Sequence, residues 1–190
     1  MQKKESTSVK KQNVAPVELP IILFPQPADW AAWLAEQHAS STGLWLRLAK
    51  KDSGLQSVTY QEALDVALCY GWIDGQKKSY DAQSWLQKFT PRGKKSIWSK
   101  INRAKAEALI ASGQMQPAGL RAIESAKQDG RWEAAYDSHR TAEVPEDLQA
   151  ALDGNAPAKA FFETLNRQNR YAILFRIASG ALLGPDTPVE

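Results

Sequence analysis

The run Thr59-Tyr60-Gln61-Glu62-Ala63-Leu64-Asp65-Val66-Ala67-Leu68-Cys69-Tyr70-Gly71-Trp72-Ile73-Asp74-Gly75, continued by Ser84-Trp85-Leu86-Gln87-Lys88-Phe89, changes its period partway along and so decides the fold class. Thr59 and Glu62 stand three apart, the spacing at which each side chain can satisfy the other's free backbone N–H at a helix start. Ala63, Leu64, Ala67, Leu68 and Cys69 follow at helical spacing, and Gly71 ends the helix. Beyond it, Trp72 to Gly75 and Ser84 to Phe89 read as two hairpin strands joined by a polar, partly basic connection. Alternation places Trp85, Gln87 and Phe89 on one face of the second strand and Leu86 and Lys88 on the other.

Toward the N-terminus, Leu44-Trp45-Leu46-Arg47-Leu48 after Gly43 predicts another strand, and Asp52, Ser53 and Gly54 mark a loop behind it. Ala28 to His38 predicts a helix after Pro27, with Trp30, Trp33, Leu34 and Gln37 at helical spacing and Asp29 in the first turn, where a negative charge suits the helix dipole. Val17 to Phe24, between Pro16 and Pro25, has the composition of a short edge strand. Toward the C-terminus, Pro91-Arg92-Gly93 interrupts the strands, and helical periodicity resumes over Ser96 to Ser112, Gln116 to Gln128, Glu146 to Leu152 and Pro157 to Ala178. The expectation is an α+β protein, mostly helical, with a small antiparallel sheet in the N-terminal half and a helical C-terminal half. Residues 1–15, rich in Lys, Ser and Gln, read as a flexible basic arm, 16–178 as a single domain and 179–190 as a frayed tail.

A chain of 190 residues, 43% apolar and 24% charged, falls within the size of one domain and has ordinary globular composition. No apolar run approaches the ~20 residues that cross a bilayer, and Val17 to Phe24 is too short and too broken by Pro20 for a secretory h-region. A cytoplasmic location is therefore expected. Cys69 is the only cysteine, so no intramolecular disulfide or Cys-rich zinc pattern is available, and its alanine- and leucine-lined face predicts a buried, inert thiol. His38 and His139 fall in no metal-binding spacing, and glycine-rich nucleotide loops and nucleophile elbows are missing. No metal, cofactor or catalytic residue is predicted. Glu62 and Asp65 read as a cap and a dipole partner rather than an acid–base pair.

Charge is unevenly spread. From Asp74 to Lys105, nine Lys/Arg face two acids, a net +7, whereas from Ala106 onward eight basic residues face twelve acidic ones, a net −4. Over Gly71 to Lys105 the cations are interleaved with Trp72, Tyr80, Trp85, Phe89 and Trp98. Cations attract phosphate or carboxylate and exposed rings can stack on bases or sugars; the competing reading makes the tryptophans core and the lysines a solvated rim. Thr90-Pro91-Arg92-Gly93-Lys94-Lys95-Ser96 reads as a cationic loop entering a helix, where backbone N–H groups could help to hold an anion.

Taken together, Tyr60-Gln61-Glu62-Ala63-Leu64-Asp65, Cys69 to Gly75, Phe89-Thr90-Pro91-Arg92, Ser96 to Asn102, Gly113 to Gly119, Asp129-Gly130-Arg131-Trp132, Phe161-Phe162 and Asn169-Arg170-Tyr171 resemble the bacterial YdeI/OmpD-associated family. The resemblance runs from about Trp30 to Ile177. It implies a bacterial protein linked by family name to bacteriocin protection, a porin and envelope stress, and supplies no catalytic residues. The family's Arg/Lys-rich C-terminal helix has no counterpart in Ala178 to Glu190, which carries Gly180, Gly184, Pro185 and Pro188.

The leading expectation is a non-enzymatic stress-tolerance or binding protein holding an anionic ligand, whether nucleic acid, phosphorylated metabolite or acidic protein. Its site would comprise Lys77, Lys78, Arg92, Lys94, Lys95 and Lys100 beside Trp72, Trp85 or Trp98, with Asp74 among them. Two alternatives stand beside it. One is a small enzyme using Asp74 as acid or base near Trp72, with Arg92 orienting an anionic substrate; the other is a protein-interaction module of the envelope stress response.

Overall fold

Thr59 forms the reciprocal cap its spacing predicts: its Oγ1 accepts Glu62 N–H at 3.3 Å, and the Glu62 carboxylate accepts Thr59 N–H at 2.8 Å. This starts α2 (Tyr60–Cys69) in the computed structural model, which describes residues 18–137 and 142–178. Gly71, at φ +72°, takes the left-handed conformation that only glycine adopts cheaply, and the chain turns into β3 (Trp72–Ser79) and then β4 (Ser84–Pro91). The hairpin extends past the expected end at Gly75. The register slips between Asp74 and Lys77, and buried Gln87 donates its Nε2–H to the carbonyls of Gly75 at 2.8 Å and Gln76 at 3.3 Å. A side-chain amide thus serves carbonyls at the bulge, and the strand continues.

α1 (Pro27–Gln37) and β2 (Leu44–Ala49) lie where the patterns put them, and β1 (Ile21–Ile22) forms the edge. The sheet order is β1-β2-β4-β3, antiparallel except that β1 runs parallel to β2. Leu44, Leu46 and Leu48 of β2 and Phe89 of β4 face α1 and α2, meeting Trp30, Leu34, Ala63, Leu64, Ala67 and Leu68 in the main core. Trp30 stacks on Trp33 with ring centroids 5.4 Å apart and donates Nε1–H to Ala63 O, so its polar edge is satisfied inside that core. Cys69 is buried as expected, and burial raises its thiol to about 11.

α3 (Lys100–Ala111) starts four residues later than the periodicity suggests. The reason is non-local: Tyr136 N–H donates to Trp98 O and Lys100 N–H to Tyr136 O, which holds Ser99 extended, and its hydroxyl then accepts Asn102 N–H to start the helix. α4 (Pro117–Gln128) lies against α2 through Gly119, where a methyl group would meet the Leu68 carbonyl oxygen at 2.8 Å. α5 (Glu146–Asp153), α6 (Ala156–Thr164) and α7 (Arg167–Ala178) complete the chain. The single helical stretch expected over 157–178 is divided, because Leu165 is extended and the Asn166 side chain accepts Asn169 N–H at 2.9 Å to start a new helix. These helices gather around Leu152, Phe162 and Leu174, a smaller second cluster.

The α+β class, with the sheet in the N-terminal half and helices after it, is therefore as predicted. No described helix is long and apolar enough to cross a membrane. The arm expected at 1–15, the tail expected at 179–190 and His139 lie outside the described residues.

Candidate functional site

A sheet with helices on one side leaves its other face to side chains alone. In-register pairing of Trp45 with Lys88, Arg47 with Leu86, and Leu86 with Lys78 puts these five side chains on the face opposite the core leucines. Leu86 is 0% exposed yet belongs to neither core cluster; its neighbours on the two sides are Arg47 and Lys78, whose long aliphatic stems suit them to shield it. Lys78 Nζ stands 4.2 Å from the Trp45 ring centroid, and the Arg47 guanidinium carbon 5.3 Å from that of Tyr80, which is 49% exposed. On these three strands and the 80–83 turn, Asp81 is the only carboxylate besides Asp74, and Asp81 already pairs with Arg47 at 2.8 Å. The outer face thus combines Arg47, Lys78 and Lys88 with the rings of Trp45 and Tyr80.

The ten residues singled out from the sequence do not come together as one surface. Lys77 and Lys78 are exposed on β3 near the hairpin turn, whereas Arg92 follows the far end of β4. Lys78 pairs with Leu86, so six residues of extended chain, roughly 20 Å, separate the two ends. Trp72 is 0% and Trp98 1% exposed, so neither offers a face for stacking. Trp72 packs edge-on against Trp30 and Trp33 and donates Nε1–H to His38 O, and Trp98 meets Trp132 edge-on at 4.8 Å. Both are structural because the helices cover the side to which they point. Trp85 is half-buried against the core and 6.2 Å from Tyr60. Lys100 is held by Asp137 at 2.7 Å.

The cationic loop also differs from expectation. Gly93 N–H is taken by the Ser96 hydroxyl and Ser96 N–H by Gly93 O, and the helix begins only at Lys100. These amides close a turn instead of facing outward, which leaves Lys94 and Lys95 as exposed point charges.

At this end of the sheet a polar cluster is partly enclosed. Tyr60 donates its hydroxyl to Asp74 at 2.8 Å; burial and then this bond hold the phenol well above its ordinary value. Arg92 lies flat on Trp98, with its guanidinium carbon 3.5 Å from the ring centroid, and donates Nη1–H to Ile97 O at 3.2 Å. Its Nε and Nη2, and Trp98 Nε1, are buried with no partner among the described residues. Burial brings the Arg92 guanidinium down to about 10, against the opposing pull of Asp74 and Tyr136. A cavity of about 570 Å³ opens beside this cluster, with Ile97, Tyr136, Tyr171 and Phe175 in its wall and Lys100 and Asp137 at its edge. The described residues contain no His/Cys/Asp/Glu group of three or more placed to hold a metal ion.

Trp45 and Arg47 lie outside the Asp74–Lys105 charge count, and Lys88, though counted there, was not among the site residues. Their signal was the alternation in Leu44-Trp45-Leu46-Arg47-Leu48, which sets Trp45 and Arg47 opposite the leucines.

Among the described residues, fold and surface together define a helix-backed α+β sheet protein whose outer sheet face carries Arg47, Lys78 and Lys88 beside Trp45 and Tyr80. Residues 22–122, just over half of the chain, match the family model described as Domain of unknown function (DUF8412), and the chain belongs to that family. Residues 141–181 match a second model, described as Bacteriocin-protection, YdeI or OmpD-Associated, which bears out the resemblance over part of the helical C-terminal half. The motifs from Tyr60 to Asn102 that contributed to that resemblance lie within the DUF8412 match. No curated protein and no solved structure matches.

Proposed function

We propose that this is a non-enzymatic binding protein that holds a polyanionic ligand on the outer face of its sheet. A cytoplasmic stress-tolerance role belongs to the same reading. The observation that carries it is the grouping on that face, where Arg47, Lys78 and Lys88 lie beside Trp45 and Tyr80. Cations gathered on one face of a sheet raise the local concentration of a polyanion and release its counterions on contact. Lys94 and Lys95, exposed at the far end, would extend the same field.

The test is a titration of labelled heparin at low and near-physiological salt with the natural chain and a Lys78→Glu/Lys88→Glu variant. The variant is expected to bind at least about tenfold more weakly at low salt, with a log–log salt slope lower by roughly two contacts. Equal affinity in the two proteins, with both folded, would overturn the reading.

A further inference from the structure

We infer that the ligand of this face is single-stranded nucleic acid, an inference that rests on the polyanion-binding reading above. A face made only to attract negative charge would need only cations. Here a six-membered or indole ring accompanies two of the three cations, Trp45 with Lys78 and Tyr80 with Arg47. Neither ring belongs to a core cluster: Trp45 is partly buried, and Tyr80 is 49% exposed.

The layout separates the two kinds of contact. Trp45 and Arg47 lie two residues apart on β2, about 7 Å along the strand, and Lys78 reaches across from β3, about 10 Å away with β4 between them. Two ring–cation pairs therefore lie side by side on one face of the sheet. An unpaired strand has both matching groups, a phosphate repeat for the cations and free base faces for the rings, and stacking tolerates any base. A duplex keeps its base faces inside the stack and offers this surface only phosphates and groove edges. An acidic peptide without rings likewise engages only the cations, and a sulfated polysaccharide, whose sugars can rest on a ring but lack the flat base face, is separated from a single strand by the heparin arm of the test.

The closing experiment measures anisotropy of a labelled oligothymidine, a duplex of equal length and heparin on the natural chain and on Trp45→Ala and Trp45→Phe, with thermal unfolding of each variant. The expected result is preference for the single strand, a loss of about tenfold in Trp45→Ala, the scale of one stacked base, and substantial recovery in Trp45→Phe. Heparin affinity should change little in either variant. If the three ligands bind alike and Trp45→Ala has no effect, the nucleic-acid assignment is overturned while polyanion binding stands. If none binds, both readings are overturned.

Discussion

Burial of the Arg92 guanidinium takes Nε and Nη2 out of water without giving them an acceptor among the described residues, while its flat face gains contact with Trp98 at 3.5 Å. The first effect is unfavourable and belongs to the charge; the second is favourable and belongs partly to the stem and the planar packing. Arg92→Met keeps an unbranched stem over Trp98 and removes the unpaired donors, so its melting temperature is expected to equal or exceed that of the natural chain. Arg92→Ala uncovers Trp98 and is expected to lose about 2 kcal/mol in denaturant unfolding. A Met variant as damaged as the Ala variant would mean that the Nη1–H bond to Ile97 O outweighs the cost of the unpaired donors. From sequence, Arg92, Lys94 and Lys95 were equivalent members of a basic run. Tertiary packing separates them, because Trp98 can shelter only the residue that leaves β4 beside it.

Among the elements, the β3–β4 hairpin depends on its turn. The Asp81 carboxylate accepts hydrogen bonds from the Ser84 hydroxyl at 2.7 Å and from the backbone N–H groups of Ser84 and Gln83, and also pairs with Arg47. These contacts, the Ser84 hydroxyl first, hold Asp81 below the ordinary carboxylate value of 3.8. With the folded value the lower of the two, the contribution is complete above 3.8 and disappears as pH falls through the folded value. Asp81→Asn should therefore melt below the natural chain at neutral pH, with the gap closing in strong acid; a gap independent of pH would show that ionisation of Asp81 is not what steadies the turn. Local chemistry made much of this level legible. The Thr59–Glu62 box and the alternation through Trp85, Leu86 and Lys88 depend on neighbours in the chain and appear as read. The late start of α3 was not legible, since it depends on a backbone bridge from Ser99 to Tyr136.

Over the whole molecule, apolar burial is unequal. The main core joins α1, α2, the sheet, Trp98 and Trp132, whereas α5, α6 and α7 rely on Leu152, Phe162 and Leu174 with a partly buried rim. Free energy of local opening follows the number of buried contacts that must break. Native-state amide exchange is expected to be slowest in β2, β4 and α2 and markedly faster in α5 to α7. Equal protection across both regions would instead support the expectation that residues 16–178 unfold as one cooperative unit.

The sequence by itself determined the α+β class, the Thr59–Glu62 cap, the strand periods and the cationic centre of the chain, because each depends on residues within a few positions of one another. Only the tertiary structure decided which aromatic rings remain available. Trp72 and Trp98 lie in the basic segment yet are enclosed, while Trp45 lies outside it and meets Lys78 across two strands. Burial is set by which face of the sheet the helices cover, and strand pairing brings distant residues side by side; neither can be read from a position in the chain.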